Sequence, residues 1–198
     1  MANEYVTLAE LKSQFGIEED DATRDAQLNR ARASASRSID KTTGRRFWLD
    51  ETPVQRMFRL SGRVVWQSDG DLLLVDDIGS VTGLTVETGS GVIFTALTGY
   101  ETQPDNALAD GWPITGLLLG GAVAWGNDTT RVRVTAQFGW PAVPEDIHEA
   151  ALIQASRLFK RKDSPEGIIG SAEWGVRNLS RRDPDVWALI EPYIIPGF

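Results

Sequence analysis

The spacing of apolar residues changes character twice along the chain. It begins helical, becomes alternating and short, and returns to helical near the C-terminus. Thr7-Leu8-Ala9-Glu10 has the S/T-x-x-E form of a capping box, in which the threonine oxygen accepts from the third helical amide and the glutamate reaches back. It predicts a short helix to about Gln14, stopped by Gly16. The acids Glu18 to Asp21 precede a second, longer helix, where negative charge complements the positive end of the helix dipole. Leu28, Ala31, Ala35 and Ile39 recur at spacings of three and four and form a narrow apolar stripe. The small residues Ala31, Ala33, Ser34, Ala35 and Ser36 predict close approach of a neighbouring element. Gly44 ends this helix, and Phe47-Trp48 anchor the exit.

From Thr52 to Trp140 short β-prone runs alternate with Gly, Asp and Asn turns: VQRMFRL, RVVW, DLLLVDD, GLTVET, GVIFTAL, ITGLLLG, AVAWG and RVRVTAQFGW. Residues 131–136 alternate Arg, Val, Arg, Val, Thr, Ala, the pattern of a half-exposed strand. Ser68-Asp69-Gly70, Thr88-Gly89-Ser90-Gly91 and Gly126-Asn127-Asp128 read as turns. With no room for long crossover helices, the sheet is expected to be largely antiparallel. Glu101 to Pro113, the least regular stretch, is expected to be a loop.

Helical spacing resumes after Pro141 and Pro144, with Ile147, Ala151, Ala155 and Leu158 facing the core. Glu145 and Asp146 open this helix and Lys160, Arg161 and Lys162 close it, matching its dipole. Asp163-Ser164-Pro165-Glu166-Gly167 breaks it, and Gly-rich sequence runs to about Arg182. Asp183-Pro184 is an N-cap with proline at the first helical position, predicting a short last helix from Asp185 to about Tyr193. The fold class is therefore α+β: helical N- and C-terminal segments packing together, with a large, mainly antiparallel β-rich insertion between them. The boundaries are 1–50 for the N-terminal helical part, 51–143 for the insertion, 144–162 for a core helix and 163–198 for a flexible arm with a docking helix.

The 198 residues suit one domain with a large insertion, and the 41% hydrophobic content suffices for a core. No run of eighteen apolar residues suggests a membrane span. The start MANEYVTLAELK lacks the basic and apolar segments of a signal peptide, so synthesis in a cytoplasm is expected. Absence of cysteine removes disulfides, thiol catalysis and thiolate metal sites. The net charge of −8 argues against free, non-specific attraction to nucleic acid. Charge is uneven, however: residues 51–143 carry five basic and ten acidic side chains, whereas Arg24 to Arg46 carry seven basic and two acidic ones.

Each candidate for chemistry has a plainer reading. Asp76-Asp77 follow an apolar run, but adjacent strand residues point to opposite faces, so a solvated turn is favoured. Gly89-Ser90-Gly91 lacks the Lys-Ser/Thr pair of a phosphate loop and reads as a hairpin turn. His148, the single histidine, has no nucleophile in a recognisable elbow sequence beside it, and a surface or interface role is favoured. Trp48, Trp66, Trp112, Trp125, Trp140, Trp174 and Trp187 show no spacing that makes a sugar-stacking platform. Arg30, Arg37, Lys41 and Arg45 lie on related turns of the second helix, with Arg32 and Arg46 nearby. They fit a solvated face, weak nucleic-acid contact, or pairing with the acidic middle of an adjacent copy. No catalytic residue, metal site or cofactor is expected.

Two sequence blocks carry a resemblance. At the N-terminus these are YVTLAELKSQFGI and DDATRDAQLNRARASASRSIDKTTGRRF; at the C-terminus, RVRVTAQFGWPAVPEDIHEAALIQASRLFKRKDSPEG and EWGVRNLSRRDPDVWALIEPY. In this order, with Gly44 and Phe47 closing one helix and a strand-Gly139-Trp140-Pro141-x-x-Pro144 lead into the next, they resemble the head-to-tail connector, or adaptor, proteins of long-tailed bacteriophages. The likeness covers about half the chain and leaves out the β-rich middle. It implies a structural virion protein in the head–tail neck, present in the host cytoplasm during assembly. The implied state is a dodecameric ring beneath the portal, extending the DNA channel and offering a platform for stopper or tail proteins. Double-stranded DNA would pass without sequence-specific binding, and no membrane is involved. On that reading the last helix, with Asp183, Val186, Trp187, Leu189, Ile190 and Tyr193, docks on the portal. Arg30, Arg37, Lys41 and Arg45 make subunit contacts or face the channel. The competing readings are another neck protein, such as the stopper or tail terminator, and a β-rich carbohydrate- or ligand-binding module.

Overall fold

The computed structural model describes residues 3–121, 124–127, 129–161, 168–169, 177–178 and 183–195. It divides into two compact units. Residues 1–45 and 143–198 form a helical unit, and residues 46–142 a sheet unit. The first boundary falls just after Gly44, so Phe47 is spent in the sheet unit, its ring 5.1 Å from that of Trp140.

In the helical unit, α1 (Leu8–Gln14) carries the capping box: Glu10 N–H donates to Thr7 Oγ1, and Thr7 N–H donates to Glu10 Oε2 at 2.7 Å. Helix α2 (Asp25–Thr43) ends where Gly44 enters the left-handed region at φ +70°. Its stripe of Leu28, Ala31 and Ala35 is buried with Leu11 of α1 and with Ala155 and Phe159 of α3 (Glu145–Arg161). Leu158, expected in the core, is only half-buried; Phe159 takes the deep position and stacks on Phe15 at 4.8 Å. Helix α4 (Pro184–Ile190), capped by Asp183, continues as a 3-10 turn over Glu191–Tyr193.

The sheet unit is antiparallel throughout: β1 (Val54–Arg59), β2 (Val64–Trp66), β3 (Gly70–Ser90), β4 (Ile93–Ala96), β5 (Tyr100–Gln103), β6 (Ile114–Gly120) and β7 (Arg131–Phe138). DLLLVDD and GLTVET, which read as two strands, are one long strand, β3. Its N-terminal half pairs with β2 and β6 and its C-terminal half with β7 and β4, with register shifts between 74 and 85. Asp76 and Asp77 therefore lie inside a strand and not in a solvated turn. Asp76 accepts from Arg56 Nη1 at 2.8 Å, and Asp77 Oδ2 accepts from Trp140 Nε1 at 3.1 Å. Residues 101–103 of the expected loop join Tyr100 in β5 on β6, because both backbones find ladder partners there. AVAWG is not a strand over 124–126; Ala122 and Val123 lie outside the described residues. Even so, Trp125 is buried and donates from Nε1 to Asp71 O at 2.8 Å. The core lies on one face of β7, where Val132, Val134, Ala136 and Phe138 alternate with more exposed neighbours.

The break expected at 163–167 lies outside the described residues, as do Lys162 and Trp174. Of the Gly-rich arm from Gly167 to Arg182, only a two-residue antiparallel ladder is described, between β8 (Ile168–Ile169) and β9 (Arg177–Asn178).

Candidate interaction surfaces

Among the described residues no three His, Cys, Asp or Glu side chains converge to hold a metal ion. No helix is long and apolar enough to cross a membrane, again among the described residues. His148 Nε2 lies 3.2 Å from Glu10 Oε1, joining α3 to the cap of α1. The Thr7 amide, then the Thr7 hydroxyl, and more weakly His148 hold the Glu10 carboxyl below its ordinary value of 4.5. This is a strut between helix ends.

Of the seven tryptophans, Trp48, Trp66, Trp112, Trp125 and Trp140 lie in the sheet unit, and Trp187 lies in α4. Trp112 and Phe47 both lie against Trp140, with ring centroids about 5 Å away. Trp48 lies under the Arg46 guanidinium at 4.0 Å. Trp66, at the end of β2, is the most exposed of the described tryptophans.

On α2, Arg30, Arg37 and Lys41 are exposed and share one helix face with Ser34. Arg30 Nε donates to Ala26 O, and Arg37 Nε sits 3.2 Å from Asp40 Oδ2 while its Nη2 donates to Asn3 O. Arg45 differs. It is half-buried, and its Nε donates to Tyr193 O at 2.9 Å, tying the end of α2 to the C-terminal turn. Three members of the predicted basic set thus form an exposed ridge, and the fourth is a brace within the helical unit.

The α4 set divides similarly. Val186, Ile190 and Tyr193 are buried in the helical unit. Asp183 Oδ2 accepts from Arg157 Nη1 at 3.1 Å, Tyr193 Oη donates to Asp146 Oδ2 at 3.2 Å, and Ile195 N–H donates to Thr43 O. Burial, and then the Asp146 charge, raise the Tyr193 phenol above its ordinary value of 10. The helix is docked on its own chain, so those side chains are already in use; Trp187 and Leu189 are half-buried and reach the surface.

The sheet unit holds a surface that composition concealed. Of its arginines, Arg56 and Arg63 reach Asp76. Arg59, Arg131 and Arg133 instead gather on the outer face of β1 and β7. Arg59 stands directly opposite Arg131, Met57 opposite Arg133, and Glu87 is the one carboxylate in register on that face. Arg133 stacks over Phe94 at 3.5 Å and leaves its Nε buried without a hydrogen-bond partner. Beside this face the β3–β4 hairpin ends in Val92, 91% exposed, and Ile93, 75% exposed. The Arg-Val-Arg-Val alternation marked the outward arginines, but only the register brings Arg59 to them.

No family model matches the chain, and no curated protein matches it. Solved structures do. One is a chain in the neck of an empty gene transfer agent particle computed with C6 symmetry. It is 17% identical, with a TM-score of 0.56 over 96% of this chain and 89% of that one. Another, from the virion of a native gene transfer agent particle, is 20% identical, with a TM-score of 0.53 over the same shares. The shared fold takes in the sheet unit as well as the helices.

Proposed function

We propose that this chain is a structural subunit of the neck of a phage-like particle, and specifically its head-to-tail adaptor. The observation that carries the reading is the likeness of fold, over 96% of the chain, to a protein of a particle neck. The N- and C-terminal sequence blocks that resemble bacteriophage adaptors support it independently. In the proposed assembly the chain forms a closed ring beneath the portal, extends the DNA channel and receives the stopper or tail. The small-residue contact of α2 with α3 suits a rigid ring subunit. The net charge of −8 keeps passing DNA from adhering.

Within this reading the exposed ridge Arg30, Arg37 and Lys41 makes subunit contacts or faces the channel. Portal contact at the C-terminal helix falls to Trp187 and Leu189, because Val186, Ile190 and Tyr193 are committed to the chain's own core. An antibody to the chain, applied to purified particles, should label the head–tail junction in electron micrographs. Labelling at the tail tip or on the capsid surface, or absence from particles, would overturn the assignment. Leu189→Glu should reduce capture by purified portal without altering the circular dichroism spectrum, and full capture would remove α4 from the portal contact.

A further inference from the structure

Two surfaces of this chain are complementary in both charge and apolar character. The first is the outer face of β1–β7 with the adjoining hairpin tip. Like charges directly across a ladder are unfavourable, and Arg59 faces Arg131. No ion pair of Arg59 or Arg133 occurs among the described residues. Two-residue hairpin loops favour Gly, Asn and Asp, so Val92 in the loop after Gly91, with Ile93 beside it, sets aliphatic surface in water at a position that does not call for it.

The second surface is on the helical unit. A groove of about 420 Å³ between α2 and α3 is lined by Ala31, Leu158 and Phe159, with Gln27, Arg30 and Ser34 at its rim. Ile17 packs on the same cluster as Phe159, which puts the exposed acids Glu18, Glu19 and Asp20 at that end of the unit. No cation pairs with these three among the described residues; Lys12 is engaged by Asp25 and by the backbone oxygen of Glu19.

We infer that the hairpin tip and arginine face of one copy seat on the α2–α3 groove and acidic run of a second copy. Val92 and Ile93 fill the groove, and Arg59 and Arg133 meet Glu18, Glu19 and Asp20. Two different patches of one chain that fit each other make a heterologous contact, which repeats around a ring when its rotation closes. The inference rests on the ring of the proposed function, but the contact itself can be tested on the purified chain without particle or portal.

The chain has no cysteine, so single cysteines report the contact without background. Val92→Cys and Ser34→Cys proteins, purified separately and mixed under mild oxidation, should form a mixed disulfide dimer. The control pair of Val92→Cys with Asp110→Cys, on an exposed turn, should not. Adding Arg59→Glu and Arg133→Glu to the Val92→Cys chain should abolish the cross-link. Adding Glu18→Arg and Glu19→Arg to the Ser34→Cys chain as well should restore it. Circular dichroism of each variant checks that it is folded. Equal trapping of the control pair, or failure of the reversed charges to restore the cross-link between folded chains, would overturn the contact. If DNA instead holds the arginine face, duplex binding falls with the arginine reversals while the cross-link is unaffected, which also overturns it. Antibody labelling of particles stands apart from either result.

Discussion

Gly139, between β7 and the lead into α3, lies at φ +115°, where a side chain strains the backbone. A Cβ there would also fall 1.9 Å from the carbonyl oxygen of Trp48, which is backbone and cannot rotate away. Gly139→Ala should therefore destabilise the sheet unit by at least about 2 kcal/mol, read from urea unfolding followed by tryptophan fluorescence. A change within experimental error would mean that the crossing of the two backbones is slack. Lys12 shows the reverse legibility. In sequence it is an ordinary basic residue in the last turn of α1, yet it is only 3% exposed, with Nζ 2.8 Å from Asp25 Oδ1. Lys12→Met removes the ion-pair partner of the partly buried Asp25 carboxylate, and a loss of about 1–3 kcal/mol is expected in the same assay. Retained stability would class this pair with the many ion pairs that contribute nothing net.

At the scale of elements, α1, α2, α3 and α4 were all legible, because capping and apolar periodicity are local signals. Ala35 and Ala155, both fully buried, place α2 close against α3. Ala35→Leu has no space to fill and should cost about 1–3 kcal/mol, measured by chemical denaturation. Full stability would mean that the helices can part without loss. The cap of α1 adds a pH dependence. Because the folded Glu10 carboxyl titrates below 4.5, its contribution is present above that value and lost as pH falls through the lowered folded value. Glu10→Gln should flatten the acid side of the stability profile, below the ordinary carboxyl value of 4.5, followed by helical circular dichroism, and an unchanged slope would locate the acid sensitivity elsewhere. The strands were legible as runs, but not as a ladder. The register shifts of β3 and the pairing of β5 depend on residues tens of positions away, and no local propensity encodes them.

For the whole molecule, the separation into a basic helical segment and an acidic middle was visible from charge counts, but the counts misled about where the arginines act. Of the five arginines in residues 51–143, pairing with Asp76 consumes two and register collects the other three. The C-terminal helix was similarly visible as an amphipathic segment, with its partner undetermined. Its burial in the helical unit changes what a truncation would do. Removal of everything from Asp183 onward strips Val186, Ile190 and Tyr193 from the core. It should lower the stability of the helical unit by at least about 3 kcal/mol, seen as an earlier loss of helical signal on heating. An undisturbed melting curve would mean that α4 is a detachable arm after all.

The amino-acid sequence by itself determined the helices, their ends, the antiparallel character of the middle and the two blocks that resemble phage adaptors. Each of these is written in neighbours a few residues apart, through caps, turns and periodicity. Only the tertiary structure decided that DLLLVDD and GLTVET are one strand, that α4 is docked on its own chain, and that Arg59 joins Arg131 and Arg133 on one face. Those outcomes depend on which distant backbones pair and which apolar faces cover each other, and that is a competition among long-range contacts that no short stretch of sequence records.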